Sequence, residues 1–244
     1  MLSKSQVKYI QSLAHKKSRD GEGLFIAEGP KIIEDFLWQG NIDIKQIYAT
    51  KEWLDLNKKN TDTIETIELT EQELERISQL KTPNQVVAVI KKIEKLNSVE
   101  VKNEITIVLD TIQDPGNLGT IIRIADWFGV KNIVCSLECA DVYNPKVVQA
   151  TMGSIARVAV LYKELIPWLK AQRDIAIYAA TLNGRSVNDL GKIKEGVIII
   201  GNESKGINDS LLGMVSDRIS IPKIGKAESL NAAVATGILL SHLK

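Results

Sequence analysis

Residues 109–123 read LDTIQDPGNLGTIIR, in which an apolar strand ends in Leu-Asp, Asp114-Pro115-Gly116 makes a turn, and an apolar helix carrying Arg123 follows. A buried strand delivered through a short turn into a helix is the opening of a βαβ unit, so the segments that follow it decide the fold. Five more apolar runs do follow: NIVCS, ARVAVLY, DIAIYAATL, VIIIGN and RISIP, with ITIVLD at 105–110 as the first of the set. Helical patterns lie between several of them, in GTIIRIADWFG, NPKVVQATMG, KELIPWLKAQ and NDSLLGMVS. Strands alternating with helices imply an α/β domain with a mainly parallel sheet covered on both faces, whose ligand crevice lies beyond the carboxyl ends of the strands.

Three segments fall at such ends. In the first, Gly119 permits close backbone approach before the helix, and Ile121, Ile124, Ala125 and Phe128 follow the spacing of a buried stripe. Arg123 lies two residues from Ile121, about 200° around the helix, and so points away from that stripe. Taken alone it reads first as a solvated arginine, the sharper alternative being a fork aimed at a phosphate or developing oxyanion. The second segment, Gly201-Asn202-Glu203-Ser204-Lys205-Gly206, lacks the Lys and Ser/Thr that a nucleoside-triphosphate loop needs after its second glycine, and neither it nor GNLGTI has the glycines of a dinucleotide fingerprint. It leaves one carboxylate, Glu203, between two glycines. The third, IPKIGKAESLNAA, puts Ser229 where a helix N-cap is expected, whereas Asn231 is harder to assign to capping. The helix AAVATGILLSHL is apolar nearly all round, which suits burial against the sheet or another subunit.

The first half has a different rhythm. VKYIQSLAHKKS reads as a helix, GLFIAEG as a strand, PKIIEDFLWQG as a helix from Pro30 to Gly40, KQIYAT as a strand, TEQELERISQL as a helix opened by a Thr70/Glu73 capping box, and QVVAVI as a strand. The polar stretch KKIEKLNSVEVKNE then separates the halves. The expected organisation is a small α/β domain at 1–92, a linker at 93–103 and a larger domain at 104–244.

With 44% apolar residues and a formal net charge of +1, the 244-residue chain is ordinary globular protein without a global pull on nucleic acid. Lys8, Lys16, Lys17 and Arg19 form a local basic cluster that reads as a solvated face or as an RNA phosphate track. Cys135 and Cys139 have neither disulfide-framework nor zinc spacing and read as buried thiols in a reducing compartment. No apolar run has membrane length and the opening MLSKSQVKYIQ lacks the hydrophobic segment of a signal peptide, so a cytoplasmic protein without membrane or metal partners is expected.

Together, in this order and spacing, the three segments resemble the SpoU/TrmH branch of the SPOUT superfamily of S-adenosylmethionine-dependent RNA 2′-O-ribose methyltransferases. The matching residues are Asn117-Leu118-Gly119 with Arg123, Gly201 through Gly206, and Ile221-Pro222 through Ser229-Leu230-Asn231-Ala232-Ala233. LFIAEGPKIIEDFL is similar to the L30e-like substrate-binding domain that many such enzymes carry. The resemblance implies an α/β-knot with a deep C-terminal trefoil knot, and a homodimer with its interface beside the cofactor pocket. It implies S-adenosylmethionine held by the backbone of Gly201, Ile221 and Leu230, with Thr181 and Asn202 nearby. It further implies catalytic roles for Arg123, Asn117, Glu203, Ser229 and Asn231, Glu203 holding either the motif arrangement or Arg123. Ribosomal RNA is the favoured substrate; transfer RNA, or a non-catalytic RNA-binding or ribosome-assembly role on the same fold, are the alternatives.

Overall fold

The computed structural model describes residues 2–94 and 97–244. It divides into two compact units, Met1–Glu94 with Tyr143–Ala156, and Lys95–Val142 with Arg157–Lys244. The helical elements are α1 Lys4–Ser12, α2 Lys16–Glu22, α3 Pro30–Gln39, α4 Lys51–Thr61, α5 Glu71–Glu75, α6 Pro115–Trp127, α7 Pro145–Thr151, α8 Leu165–Lys170, α9 Asp209–Leu212 and α10 Ala232–Leu243. The strands are β1 Leu24–Glu28, β2 Ile44–Ala49, β3 Glu65–Glu68, β4 Val86–Lys91, β5 Ile105–Leu109, β6 Asn132–Cys135, β7 Ala159–Tyr162, β8 Ile177–Ser186, β9 Gly196–Ile200 and β10 Asp217–Ser220.

The first unit is built on a four-stranded sheet of order β1-β4-β2-β3. The expected helix VKYIQSLAHKKS is two helices, because α1 ends at Leu13 and α2 starts after His15. Arg19 enforces the break: its guanidinium donates to Leu13 O (3.0 Å) and Ala14 O (2.7 Å), the carbonyls left without helical partners there. At 1% exposure Arg19 is therefore a core residue and not part of a surface track for RNA, correcting its assignment to the basic cluster. Sequence reading missed α4 and β3. The first has a findable signal in Thr50, which caps it, and Trp53, which is buried and donates from its indole to Glu34 Oε1 (3.1 Å). The second, ETIE, is mostly exposed and has no apolar pattern to read. The Thr70/Glu73 capping box forms as expected. Glu28, at the end of β1, is buried and accepts from Ser78 Oγ (2.6 Å) and Gln79 N (2.7 Å), pinning the loop after α5; burial pushes its carboxyl up despite those bonds.

Tyr143–Ala156 joins this unit although its sequence neighbours lie in the other, an exception to the expected boundary after residue 103. The Tyr143 ring stands 4.9 Å from that of Phe25, its hydroxyl donates to Ile93 O (3.2 Å), Lys92 Nζ lies 5.2 Å from its centroid, and α7 packs on β1. Of the expected linker, Lys95 and Leu96 lie outside the described residues. Its later part is structural, since Val101 is 4% exposed within the core of the second unit.

The second unit is a six-stranded, all-parallel sheet of order β10-β8-β9-β5-β6-β7, whose strands coincide with the six apolar runs. β5 and β9 are buried along their whole lengths, which is why they read as uninterrupted apolar sequence. On α6 the stripe consists of Leu118, Ile121, Ile122 and Ala125, with Ile124 turned to α10, where it lies 3.7 Å from the position a Cβ on Gly237 would take. β8 departs from regularity: Ala179 pairs with Arg218, yet Arg185 pairs with the next residue, Ile219, so residues 180–184 leave the ladder. Where the strands rejoin, a Cβ on Gly184 would stand 2.4 Å from Arg218 O, a close approach that only glycine permits.

Candidate active site

All three strand-end segments belong to the second unit, and their polar side chains meet. Asp114 caps α6 by accepting from Asn117 N (2.8 Å), so the helix begins at Pro115. Pro115, Gly116 and Asn117 are thus its first turn, Gly119 is buried inside it, and Arg123 sits two turns further on, which corrects the turn expected at 114–116. Early entry into the helix aims Asn117 across the strand ends. Its Nδ2 donates to Glu203 Oε1, and its Oδ1 accepts from Asn231 Nδ2 (2.8 Å).

Asn231 is fixed from its other side. Its Oδ1 accepts from Ala233 N (3.0 Å) and Val234 N (3.3 Å), making Asn231, and not Ser229, the N-cap of α10. Helix capping thus determines the orientation of the Asn231 amide, and that amide determines which end of Asn117 faces Glu203. Of the two roles open to Glu203, the geometry assigns the holding of Asn117. Arg123 is exposed and has no hydrogen bond or ion pair among the described residues. One turn beyond it on the same face, Trp127 is 85% exposed.

The second segment is a closed loop. Asn202 and Gly206 exchange backbone hydrogen bonds (3.1 and 2.8 Å), and Asn202 Oδ1 accepts from Ser204 N (2.9 Å) and Lys205 N (3.1 Å). Asn202 Nδ2 donates to Thr111 O (2.9 Å), so both ends of this amide are engaged within the protein. A Cβ on Gly201 would come within 2.4 Å of the carbonyl carbon of Gly206, so this turn can close only with glycine at 201. Thr181, on the stretch of β8 that leaves the ladder with β10, donates from Oγ1 to Asn183 O (3.1 Å). Ile221 and Leu230 bracket the long loop of the third segment, where Ser229 is exposed. Between residues 223 and 230 no peptide or side-chain group has a hydrogen-bond partner among the described residues.

Sequence reading missed the group that binds the first segment to the second. Asp110 is 7% exposed and accepts from Asn208 N (2.8 Å) and Thr111 Oγ1 (3.0 Å). Its signal was legible, as a carboxylate closing the apolar run ITIVLD has to find donors. Thr111 adopts a φ of +59°, costing a β-branched residue about 1–2 kcal/mol. Its N–H donates to Ser136 Oγ (3.0 Å), and Cys139 Sγ accepts from Ile112 N (3.2 Å). Both cysteines are free; hydrogen bonding with Cys139 and burial push the Cys135 thiol well up, and hydrogen bonding with Cys135 draws the Cys139 thiol down to about 7.

A model of the SpoU rRNA Methylase family matches residues 104–241, and one of an MRM3-like substrate binding domain matches residues 4–88. The chain belongs to the SpoU family. A Bacillus subtilis (strain 168) relative, 23S rRNA (guanosine(2553)-2′-O)-methyltransferase RlmP, is 32% identical over 98% of this chain and 96% of its own length. The crystal structure of an AdoMet-bound rRNA methyltransferase from Sinorhizobium meliloti superposes with a TM-score of 0.87 at 30% identity, covering 98% of this chain and 95% of that one. A Streptomyces viridochromogenes relative, 23S rRNA (uridine(2479)-2′-O)-methyltransferase, is 32% identical over 67% of this chain and 61% of its own length.

The residues of this SpoU protein suit S-adenosylmethionine. Gly201, where a Cβ would meet the backbone of Gly206, and the third loop, whose peptide groups between residues 223 and 230 have no partners among the described residues, offer backbone donors and acceptors rather than side chains. That is the chemistry an adenine edge and an amino-acid moiety require.

Proposed function

We propose that this chain is an S-adenosylmethionine-dependent RNA 2′-O-ribose methyltransferase acting on ribosomal RNA. The observation carrying this reading is the run of side chains from Asn231 through Asn117 to Glu203, one from each strand-end segment, on the unit that also bears the partnerless Arg123. A module that only bound RNA would need no such fixed polar wall.

Bound S-adenosylmethionine supplies a methyl group on a sulfonium whose sulfur leaves neutral, so the demanding partner is the ribose hydroxyl. Gly201, Ile221 and Leu230 hold the cofactor through their backbones, with Thr181 and the Asn202 loop beside it. Arg123 stays cationic and stabilises the 2′-oxygen as its proton departs to an RNA phosphate oxygen or to water. Asn117 and Asn231 orient the nucleotide, Glu203 fixes the Asn117 amide, and Ser229, free on its loop, contacts the ribose.

Ribosomal RNA is favoured over transfer RNA because the B. subtilis and S. viridochromogenes relatives are both named as 23S rRNA enzymes. Mapping 2′-O-methylation in RNA from cells with and without the protein tests this. One ribosomal RNA ribose is expected to lose its methyl group; loss confined to transfer RNA, or no loss, overturns the assignment.

The same proposal includes RNA phosphate contacts by the exposed Lys8, Lys16 and Lys17, although Lys16 shares Asp20 with Lys92, bonds that hold the Asp20 carboxyl at about 2. Reversing the three charges is expected to weaken RNA binding and lower its salt slope by about two to three; an unchanged slope removes the lysines from the interface. A homodimer, a trefoil knot and a cytoplasmic site of action belong to it too. Apolar Trp127, Leu230 and Val234 exposed on α6 and at the start of α10 support the dimer, which sedimentation checks. Among the described residues no helix is long and apolar enough to cross a membrane.

A further inference from the structure

We infer that Asp110 and Thr111 are positioning residues for the cofactor loop, acting through its two ends; this rests on the functional reading above. The loop from Gly201 to Asn208 has two attachments to the end of β5 besides the contact of Glu203 with Asn117. Asn202 Nδ2 donates to Thr111 O (2.9 Å) at its start, and Asn208 N donates to Asp110 Oδ2 (2.8 Å) at its finish. Two consecutive residues of one strand end therefore grip both ends of the turn to which the functional reading assigns cofactor contacts.

The grip depends on an uncommon conformation. With Thr111 at a φ of +59°, its carbonyl accepts from Asn202 while its N–H donates to Ser136 Oγ (3.0 Å) at the end of β6. Its hydroxyl donates to Asp110 Oδ1 (3.0 Å), leaving Oδ2 for Asn208. A strained β-branched residue persists only where its surroundings over-determine it, and these four hydrogen bonds, with that of Asp110 N–H to Ile200 O (2.9 Å), do so here. Neither residue is among those assigned cofactor contacts; each acts through Asn202 or Asn208.

The test is the affinity of purified full-length protein for S-adenosylmethionine by calorimetry, with amide hydrogen exchange of residues 201–208 in the absence of cofactor. Asp110→Ala is expected to raise Kd about tenfold or more and to speed exchange in that segment, since it leaves Asn208 N without a buried acceptor. RNA affinity is expected to stay within about twofold. Asp110→Asn is expected to rescue both readouts, because its amide oxygen still accepts from Asn208 N and its NH2 can donate to Thr111 Oγ1. Should Asp110→Ala fail to fold, Ser136→Ala, which removes the acceptor of Thr111 N–H together with the contact of Ser136 Oγ with Cys139 Sγ (3.6 Å), is expected to raise Kd in the same direction. Folded Asp110→Ala and Ser136→Ala proteins with wild-type Kd and exchange overturn the inference alone. Absence of cofactor binding by the wild-type protein overturns the functional reading, and this inference with it.

Discussion

Arg123→Ala is expected to lower methyl transfer at saturating substrates by at least about a hundred- to a thousandfold while leaving S-adenosylmethionine affinity unchanged. The magnitude is that of removing one preorganised donor from a developing oxyanion, about 2.7–4 kcal/mol of barrier. Two observations separate this arginine from the binding machinery. It has no hydrogen bond or ion pair among the described residues, so its removal strands no protein partner, and it is exposed on α6 opposite the buried stripe, so no cavity opens. The protein should therefore melt as wild type. Arg123→Lys keeps the charge and loses the planar fork, and an intermediate rate is expected. Turnover of folded Arg123→Ala at the wild-type rate would remove Arg123 from the chemistry; a parallel loss of cofactor affinity would move it into the cofactor pocket.

Gly201→Ala is expected to do the reverse, abolishing cofactor binding before any question of chemistry arises. The added methyl would stand 2.4 Å from the carbonyl carbon of Gly206, 2.6 Å from its oxygen and 2.6 Å from Ile207 N. All three are backbone atoms, held by the reciprocal Asn202–Gly206 bonds, so no side chain can swing aside. The loop has to open, and the Asn202 link to Thr111 and the Glu203 link to Asn117 open with it. Overpacking of this kind costs about 1–3 kcal/mol of stability. The expected readout is a lower melting temperature, with S-adenosylmethionine Kd raised more than about a hundredfold through loss of the ordered loop. A folded variant that binds cofactor as wild type would show that the close approach at Gly201 is dispensable.

The fold of the second unit was legible because its signals are local. Six apolar runs punctuated by helical patterns specify parallel strands, and fully buried strands must be apolar throughout. Asp114, two residues before Gly116 and immediately before Pro115, was equally readable as a helix start, yet the helix was placed four residues late, since the glycines suggested a turn. Elements with weak local signals were lost: β3 has no buried stripe, and the break between α1 and α2 depends on Arg19 reaching back to carbonyls that only exist as orphans once the chain has turned.

The sequence by itself determined the strands, the three segments at their ends and the residue types in them, because periodicity and spacing record what each stretch buries. Only the tertiary structure decided what those residues do to one another. Asn231 became a helix cap whose amide sets that of Asn117, Glu203 was drawn to Asn117 and not to Arg123, Asn202 was divided between its own loop and Thr111, and Asp110 emerged as the group joining two segments ninety-odd residues apart. A hydrogen bond is a short-range, directional contact, so its partner is fixed by where the sheet order brings strand ends together, and sheet order is not written in any single segment.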